Sequence, residues 1–167
     1  FEIVWALEDR PTSTYSFEYD QIVSVGELLS TKIVAAYLLQ QEINIQWTDA
    51  RDLIRTDNRY RNARIDWDLT KDLICKSFNQ SGIYITQGFI GCTSENFTTT
   101  LGREGSDFSA AIIAYALDSD EVIIWKDVPG FLNADPTYFE STELLKEIPY
   151  SEAIELAYFG AKVVHPR

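Results

Sequence analysis

The chain has 167 residues, 26 of them acidic against 14 basic, and a formal net charge of −12 with a single histidine. That length suits one domain, and 46% hydrophobic with 13% aromatic residues excludes a disordered chain. The acidity argues against nucleic acid, whose phosphates require clustered Lys and Arg. No apolar run is read as long enough to span a membrane, and no signal peptide is read at Phe1–Asp20, so a cytoplasmic protein with no membrane or nucleic-acid partner is expected. Methionine is absent, even at position 1, which marks the chain as a possible piece of a longer one. Two cysteines, Cys75 and Cys92, are too few for a disulfide framework. Neither lies in a Cys-x-x-Cys pair and the one histidine is His165, so no metal site is expected. The sequons at Asn79 and Asn96 are read as chance matches.

Helical and extended stretches alternate, which predicts an α/β fold. Residues Asp20 to Gln41 form the first predicted helix, with Ile22, Val25, Leu28, Leu29, Ile33, Ala36 and Tyr37 at three- and four-residue steps. Gly26 interrupts it. Ile43 to Trp47 alternates as a strand, Ala50 to Arg55 reads as a short helix, and Thr56 to Trp67 reads as a loop. A helix over Leu69 to Phe78 and a strand over Ile83 to Ile85 follow. Gly91 to Gly105 reads as loop or hairpin. Next comes a helix over Ser106 to Leu117, with Ser106 as N-cap and Phe108, Ala111, Ile112, Tyr115 and Ala116 as its buried stripe. Glu121 to Trp125 reads as a buried, β-branched strand. Lys126 to Pro136 is turn-rich, and Ser151 to Phe159 is a last helix stopped by Gly160.

The loop from Thr98 to Asp107 (TTTLGREGSD) runs straight into a helix. Glycines admit a close ligand, free N–H groups at a helix start attract anions, and Arg103 offers a planar fork for a carboxylate or phosphate. An ordinary glycine loop with a surface arginine fits the same residues. The loop lacks both the Gly-Lys-Ser/Thr of a Walker A motif and the GxGxxG of a dinucleotide loop. Asp127, at the end of the predicted strand, either faces a ligand or caps the turn before Pro129. Glu27 and Lys162, taken alone, read as solvated surface charges.

Six stretches together resemble the aspartate kinase family of the amino-acid-kinase superfamily. They are SVGELLS over Ser24–Ser30, ITQGFIG over Ile85–Gly91, TTTLGREGSD over Thr98–Asp107, IWKDVPG over Ile124–Gly130, Ala134-Asp135-Pro136, and AYFGAKVVHP over Ala157–Pro166. They stand in family order over nearly the whole chain. The resemblance implies a three-layer α/β/α sandwich of the amino-acid-kinase type, incomplete at both ends. It implies transfer of the ATP γ-phosphoryl group to the β-carboxylate of L-aspartate, with Mg²⁺. Arg103 would then hold the substrate α-carboxylate and Glu27 its α-ammonium, with Phe89 and Ser106 lining the pocket. Asp107 would orient catalytic lysines. Lys126, Asp127 and Asp135 would contact the nucleotide, and Lys162 would reach its phosphates. A homo-oligomer is expected on the same ground.

The sequence departs from the family at several points. The family's N-terminal Lys-Phe-Gly-Gly strand, which supplies a lysine, has no match here, nor do the regulatory ACT domains. The chain by itself is therefore expected to be inactive. Glu104 stands where a small or neutral residue is common, Leu132 where tyrosine is frequent, and Thr137 where arginine is common. Two alternatives remain: a kinase of the same fold acting on another carboxylate or carbamate, and a non-catalytic binding or assembly module.

Overall fold

A computed structural model describes residues 15–160 together with Val163. The chain divides into two compact units, Phe1–Val122 and Ile123–Arg167. The first carries helix α1 (Tyr15–Gln40), strand β1 (Ile45–Trp47), helix α2 (Ala50–Leu53), helix α3 (Trp67–Ser77), strands β2 (Ile83–Ile85), β3 (Ile90–Cys92) and β4 (Thr98–Thr100), and helix α4 (Gly105–Leu117). The second carries helix α5 (Tyr150–Tyr158). Strands β1 and β2 pair in parallel, Ile45 opposite Ile83. Strands β3 and β4 pair antiparallel, Ile90 opposite Thr100, so the segment expected as loop or hairpin is a hairpin. The mixed α/β fold expected from the alternation is present.

Six buried side chains, Leu53, Ile54, Ile74, Leu101, Ile112 and Ala116, form the core of the first unit. They come from α2 and its end, α3, the segment after β4, and α4. Helix α3 is started by Asp66, whose carboxylate accepts from the Leu69 N–H. Thr70 on α3 in turn receives the Arg55 N–H at 3.0 Å, tying the helix to the segment that follows α2.

Helix α1 packs in the reverse of its apparent amphipathicity. Its buried residues are Asp20, Gln21, Ser24 and Ala35, while Ile22, Leu29, Ile33, Val34, Tyr37 and Leu39 are exposed. The cause lies on β4. Along an antiparallel strand, alternate N–H groups face opposite edges. Thr98 and Thr100 turn theirs away from β3, and side chains of α1 meet them. The Gln21 amide accepts from Thr98 N at 3.2 Å and donates to Thr98 O at 2.7 Å, as a neighbouring strand would. The Asp20 carboxylate, fully buried, accepts from Thr100 N, Thr100 Oγ1 and Arg61 N, each at 2.8 Å. Buried backbone polar groups must find partners, and the polar stripe of α1 supplies them.

Four sequence-based expectations are corrected. First, α1 is long and apolar enough to cross a membrane by length and composition, contrary to the reading that no run reaches that length. Second, Glu121 to Trp125 forms no strand; these residues are exposed, Trp125 at 90%. Strand propensity is realised only through a ladder, and no strand of the described residues pairs with this run. Third, the buried stripe of α4 is Gly105, Ser109, Ile112 and Ala116, with Ala111 and Tyr115 exposed. Fourth, Ser106 is not the N-cap of α4: the helix starts one residue earlier, with left-handed Glu104 (φ 53°) at the cap position and no side-chain cap bond.

Replacing Asp20 separates acceptor count from charge. Asp20→Ala leaves the buried Thr100 N–H and the part-buried Arg61 N–H without their acceptor and is expected to cost about 2–5 kcal/mol. Asp20→Asn can still accept both N–H groups while donating to Thr100 Oγ1, and should cost about 1 kcal/mol. Urea denaturation of the two variants checks the order, and equal losses would contradict it.

Candidate functional site

Three segments of the first unit converge. The first is the connection Thr86–Phe89 between β2 and β3. Phe89 is left-handed (φ 71°), its N–H donates to Ser109 Oγ at 2.9 Å, and its carbonyl accepts from Leu101 N at 2.8 Å. Thr86 Oγ1, just before it, is buried without a hydrogen-bond partner among the described residues.

The second segment is the turn after β4. Gly102 (φ 81°) and Glu104 (φ 53°) are both left-handed, and Gly105 N donates to Gly102 O at 3.1 Å. This turn projects Arg103 into solvent and delivers the chain into α4. Ser106 is exposed in the first turn of the helix; Asp107 follows it, half-buried, with its Oδ2 atom buried. The positive end of the helix dipole thus lies beside Arg103.

Two glycines allow these segments to interlock. A Cβ at Gly88 would lie 2.9 Å from both Cα and Cβ of Ser106. A Cβ at Gly105 would lie 2.6 Å from the Phe89 ring and 3.1 Å from the Phe89 Cα. The Phe89 loop and the start of α4 are therefore in direct contact through positions that admit no side chain.

The third segment is the middle of α1. Glu27 is half-buried and lies on the helix stripe that runs through Asp20, Ser24 and Thr31. One turn on, the Thr31 hydroxyl receives Gln87 Nε2 at 2.7 Å. Glu27 and the Phe89 loop are thus held together through one side-chain link. The structure therefore gathers Glu27, Phe89, Arg103, Ser106 and Asp107 in one unit. Sequence reasoning missed Asp20, Gln21 and Gln87. Polar residues inside an apolar helical run are the signal that could have found the first two.

The nucleotide-side candidates lie in the second unit. Lys126 is half-buried and Asp127 exposed. Asp135 caps a turn: its Oδ1 accepts from Thr137 N at 2.8 Å, and its carbonyl accepts from Tyr138 N and Phe139 N at 3.1 Å each. Leu132 bridges to Leu144, and the Asn133 side chain accepts from Glu143 N at 2.9 Å, so this stretch is an ordered loop. Lys162 lies outside the described residues. Cys75 and Cys92 are free thiols, and burial pushes the Cys92 thiol above its ordinary range despite Arg55 and Arg51 nearby.

Behind the Gln87 connection stands a charge pair. Arg51 grips Asp49 in a fork, Nε to Oδ1 at 3.0 Å and Nη2 to Oδ2 at 2.7 Å, while Asp49 also caps α2 through Arg51 N. Burial pushes the Asp49 carboxyl up, but the Arg51 contacts outweigh it and hold it below the ordinary value.

The family model for the amino acid kinase family matches residues 4–167. The chain belongs to that family. Within it, the chain is 42% identical over 151 residues to lysine-sensitive aspartokinase 3 of Escherichia coli K12, covering 88% of this chain and 33% of that protein. It is 40% identical over 159 residues to the chloroplastic bifunctional aspartokinase/homoserine dehydrogenase 1 of Arabidopsis thaliana, covering 93% of this chain and 17% of that protein. Among solved structures, E. coli aspartokinase III in complex with aspartate and ADP superposes with a TM-score of 0.87 at 39% identity, covering 99% of this chain and 38% of that one. The same enzyme with lysine and aspartate gives 0.84 at 40% identity, with the same coverage. These matches show the amino-acid-kinase fold. The chain spans about a third of the length of the aspartokinases it matches.

Two outcomes follow from this geometry. Gly88→Ala pushes against backbone at Ser106 and should destabilise the protein by about 1–3 kcal/mol, read as a lower urea midpoint; an unchanged midpoint would contradict the close approach. For Asp49, a depressed folded-state pKa means stability that is full above the ordinary carboxylate range and is lost as pH falls through the folded value. Unfolding free energy measured from pH 6 down to 2 should therefore fall less steeply for Asp49→Asn than for wild type, in the region below about pH 4.

Proposed function

We propose that the protein from which this chain comes phosphorylates the β-carboxylate of L-aspartate, with MgATP as phosphoryl donor. The observation that carries the reading is that Glu27, Phe89, Arg103, Ser106 and Asp107 lie in one unit, where the Thr31–Gln87 bond ties the helix of Glu27 to the Phe89 loop and close glycine contacts pack that loop on the start of α4. An amino acid presents one charge of each sign beside its reactive carboxylate. Arg103 matches the α-carboxylate and Glu27 the α-ammonium, while Phe89 and Ser106 bound the space between. Acceptors with a blocked amine would have no use for Glu27. The aspartate and ADP bound in the solved E. coli relative support the same substrates.

Phosphoryl transfer depends on positioning and charge stabilisation more than on covalent help from the protein. In this reading Asp107, in the first turn of α4, orients the lysines that stabilise the transferred group. Lys162 reaches the phosphates, and Lys126, Asp127 and Asp135 contact the nucleotide. Among the described residues no group of three or more His, Cys, Asp or Glu side chains is placed to hold a metal. Mg²⁺ arriving on the phosphates needs only one or two protein carboxylates. With a net charge of −12 the overall field repels both substrates, so these local cations and Mg²⁺ must overcome it. The reading includes a cytoplasmic homo-oligomer; the free thiols Cys75 and Cys92 support a reducing compartment.

The test is the full-length parent protein with aspartate, MgATP and hydroxylamine. Trapped aspartyl hydroxamate is expected, and its absence would contradict the assignment. Arg103→Ala should raise the aspartate KM by at least about tenfold, and Arg103→Lys by less, because lysine keeps the charge but loses the fork.

A further inference from the structure

We propose that Gln87, which touches no substrate in the reading above, is a positioning residue. It sets where Glu27 stands relative to the Gly88–Phe89 loop, and through that the affinity for the amino-acid substrate. The inference rests on the aspartate kinase reading and deepens it.

Gln87 is 1% exposed, and both ends of its amide are used. Its Oε1 accepts from Ala50 N, the first residue of α2, at 2.8 Å. Its Nε2 donates to Thr31 Oγ1 at 2.7 Å. Thr31 Oγ1 also receives Trp47 Nε1 at 3.1 Å, and its own proton goes to the Glu27 carbonyl at 3.0 Å. A threonine hydroxyl has one donor and two acceptor sites, so all three are filled. The amide cannot flip, because a flipped NH₂ would face the Ala50 N–H and leave two buried donors opposed. The orientation of the amide is therefore fixed: Gln87 donates to Thr31, and Thr31 donates to the Glu27 carbonyl at 3.0 Å, with the Leu28 carbonyl a longer second acceptor at 3.3 Å.

This chain links two parts of the proposed aspartate pocket. Its upstream end is the backbone of Glu27. Its downstream end lies two residues before Phe89, whose backbone is fixed in turn by Ser109 and Leu101. At the other end of the amide, Ala50 sits in the first turn of α2, which Asp49 caps through Arg51 N while pairing with the Arg51 guanidinium. No member of the network lies in the unit that carries Lys126, Asp127 and Asp135. A loosened Gln87 should thus move the ammonium site and leave nucleotide binding unaffected.

The experiment uses the full-length parent protein. Thr31→Val removes the hydroxyl while keeping the branched shape. It should raise the aspartate KM about tenfold and leave kcat and the ATP KM within about twofold. Thr31→Ser should restore the aspartate KM, and Gln87→Leu should reproduce the defect. The Thr31→Val/Gln87→Leu pair should be no worse than the more severe single change, since both break one link. Ser30→Ala, an exposed change at a second hydroxyl that also bonds the Glu27 carbonyl, should leave all three constants unaltered. If Thr31→Val does not fold, Thr31→Ala is read in the same way. A lowered melting temperature with an unmoved aspartate KM would overturn the proposal, as would equal rises in both KM values. Wild-type parent that forms no aspartyl hydroxamate would bring down the underlying reading and the proposal with it, before any variant is compared.

Discussion

Strand β4 has a free edge, and the polar stripe of α1 closes it. Gln21 meets both the N–H and the carbonyl of Thr98, while Asp20 meets the N–H and hydroxyl of Thr100. An unpaired N–H in that setting would cost about 1–3 kcal/mol. This requirement dictates which face of α1 turns inward, and so where everything else on the helix stands. Asp20 also holds the Arg61 N–H, tying the aperiodic segment between α2 and α3 to the same point.

The placement of charge follows from that contact. Glu27 and Thr31 lie on the stripe that the Asp20 and Gln21 contacts turn inward, and Thr31 continues the attachment through Gln87. Strand β4 ends three residues before Arg103, so the helix carrying the acidic group and the turn carrying the basic group are fixed to one strand. The close approaches at Gly88 and Gly105 then set the Phe89 loop against the start of α4. The elements that carry Glu27 and Arg103 are thus joined through the polar bonds between α1 and β4. The hydrophobic core of Leu53, Ile54, Ile74, Leu101, Ile112 and Ala116 lies behind, supporting α2, α3 and α4.

Much of this was legible in the residues. The α4 helix, the hairpin and the glycine-rich turn follow from local chemistry, and the six ordered motifs singled out Glu27, Arg103 and Asp107, which all fall in the first unit. The inward face of α1 was not legible, because periodicity reports where apolar residues recur and not what the opposing strand edge needs. Asp20 and Gln21 are decisive only once Thr98 and Thr100 lie opposite them, about eighty residues away. The run Glu121 to Trp125 has the composition of a buried strand, yet composition cannot provide a pairing partner. Ser106 has good capping chemistry, but the left-handed Glu104 starts the helix first. Among the described residues, Ile22, Leu29, Ile33 and Tyr37 lie on the face of α1 that these polar bonds leave uncovered.

Amide hydrogen exchange of the full-length protein at Thr98 and Thr100 tests the sealing of β4 by α1 most directly. Neither N–H is directed at β3, so their protection depends on Gln21 and Asp20. Exchange as slow as at the Leu101 amide, which bonds the Phe89 carbonyl, is the expected result. Exchange at Thr98 and Thr100 as fast as at an exposed turn amide, with Leu101 still protected, would contradict it.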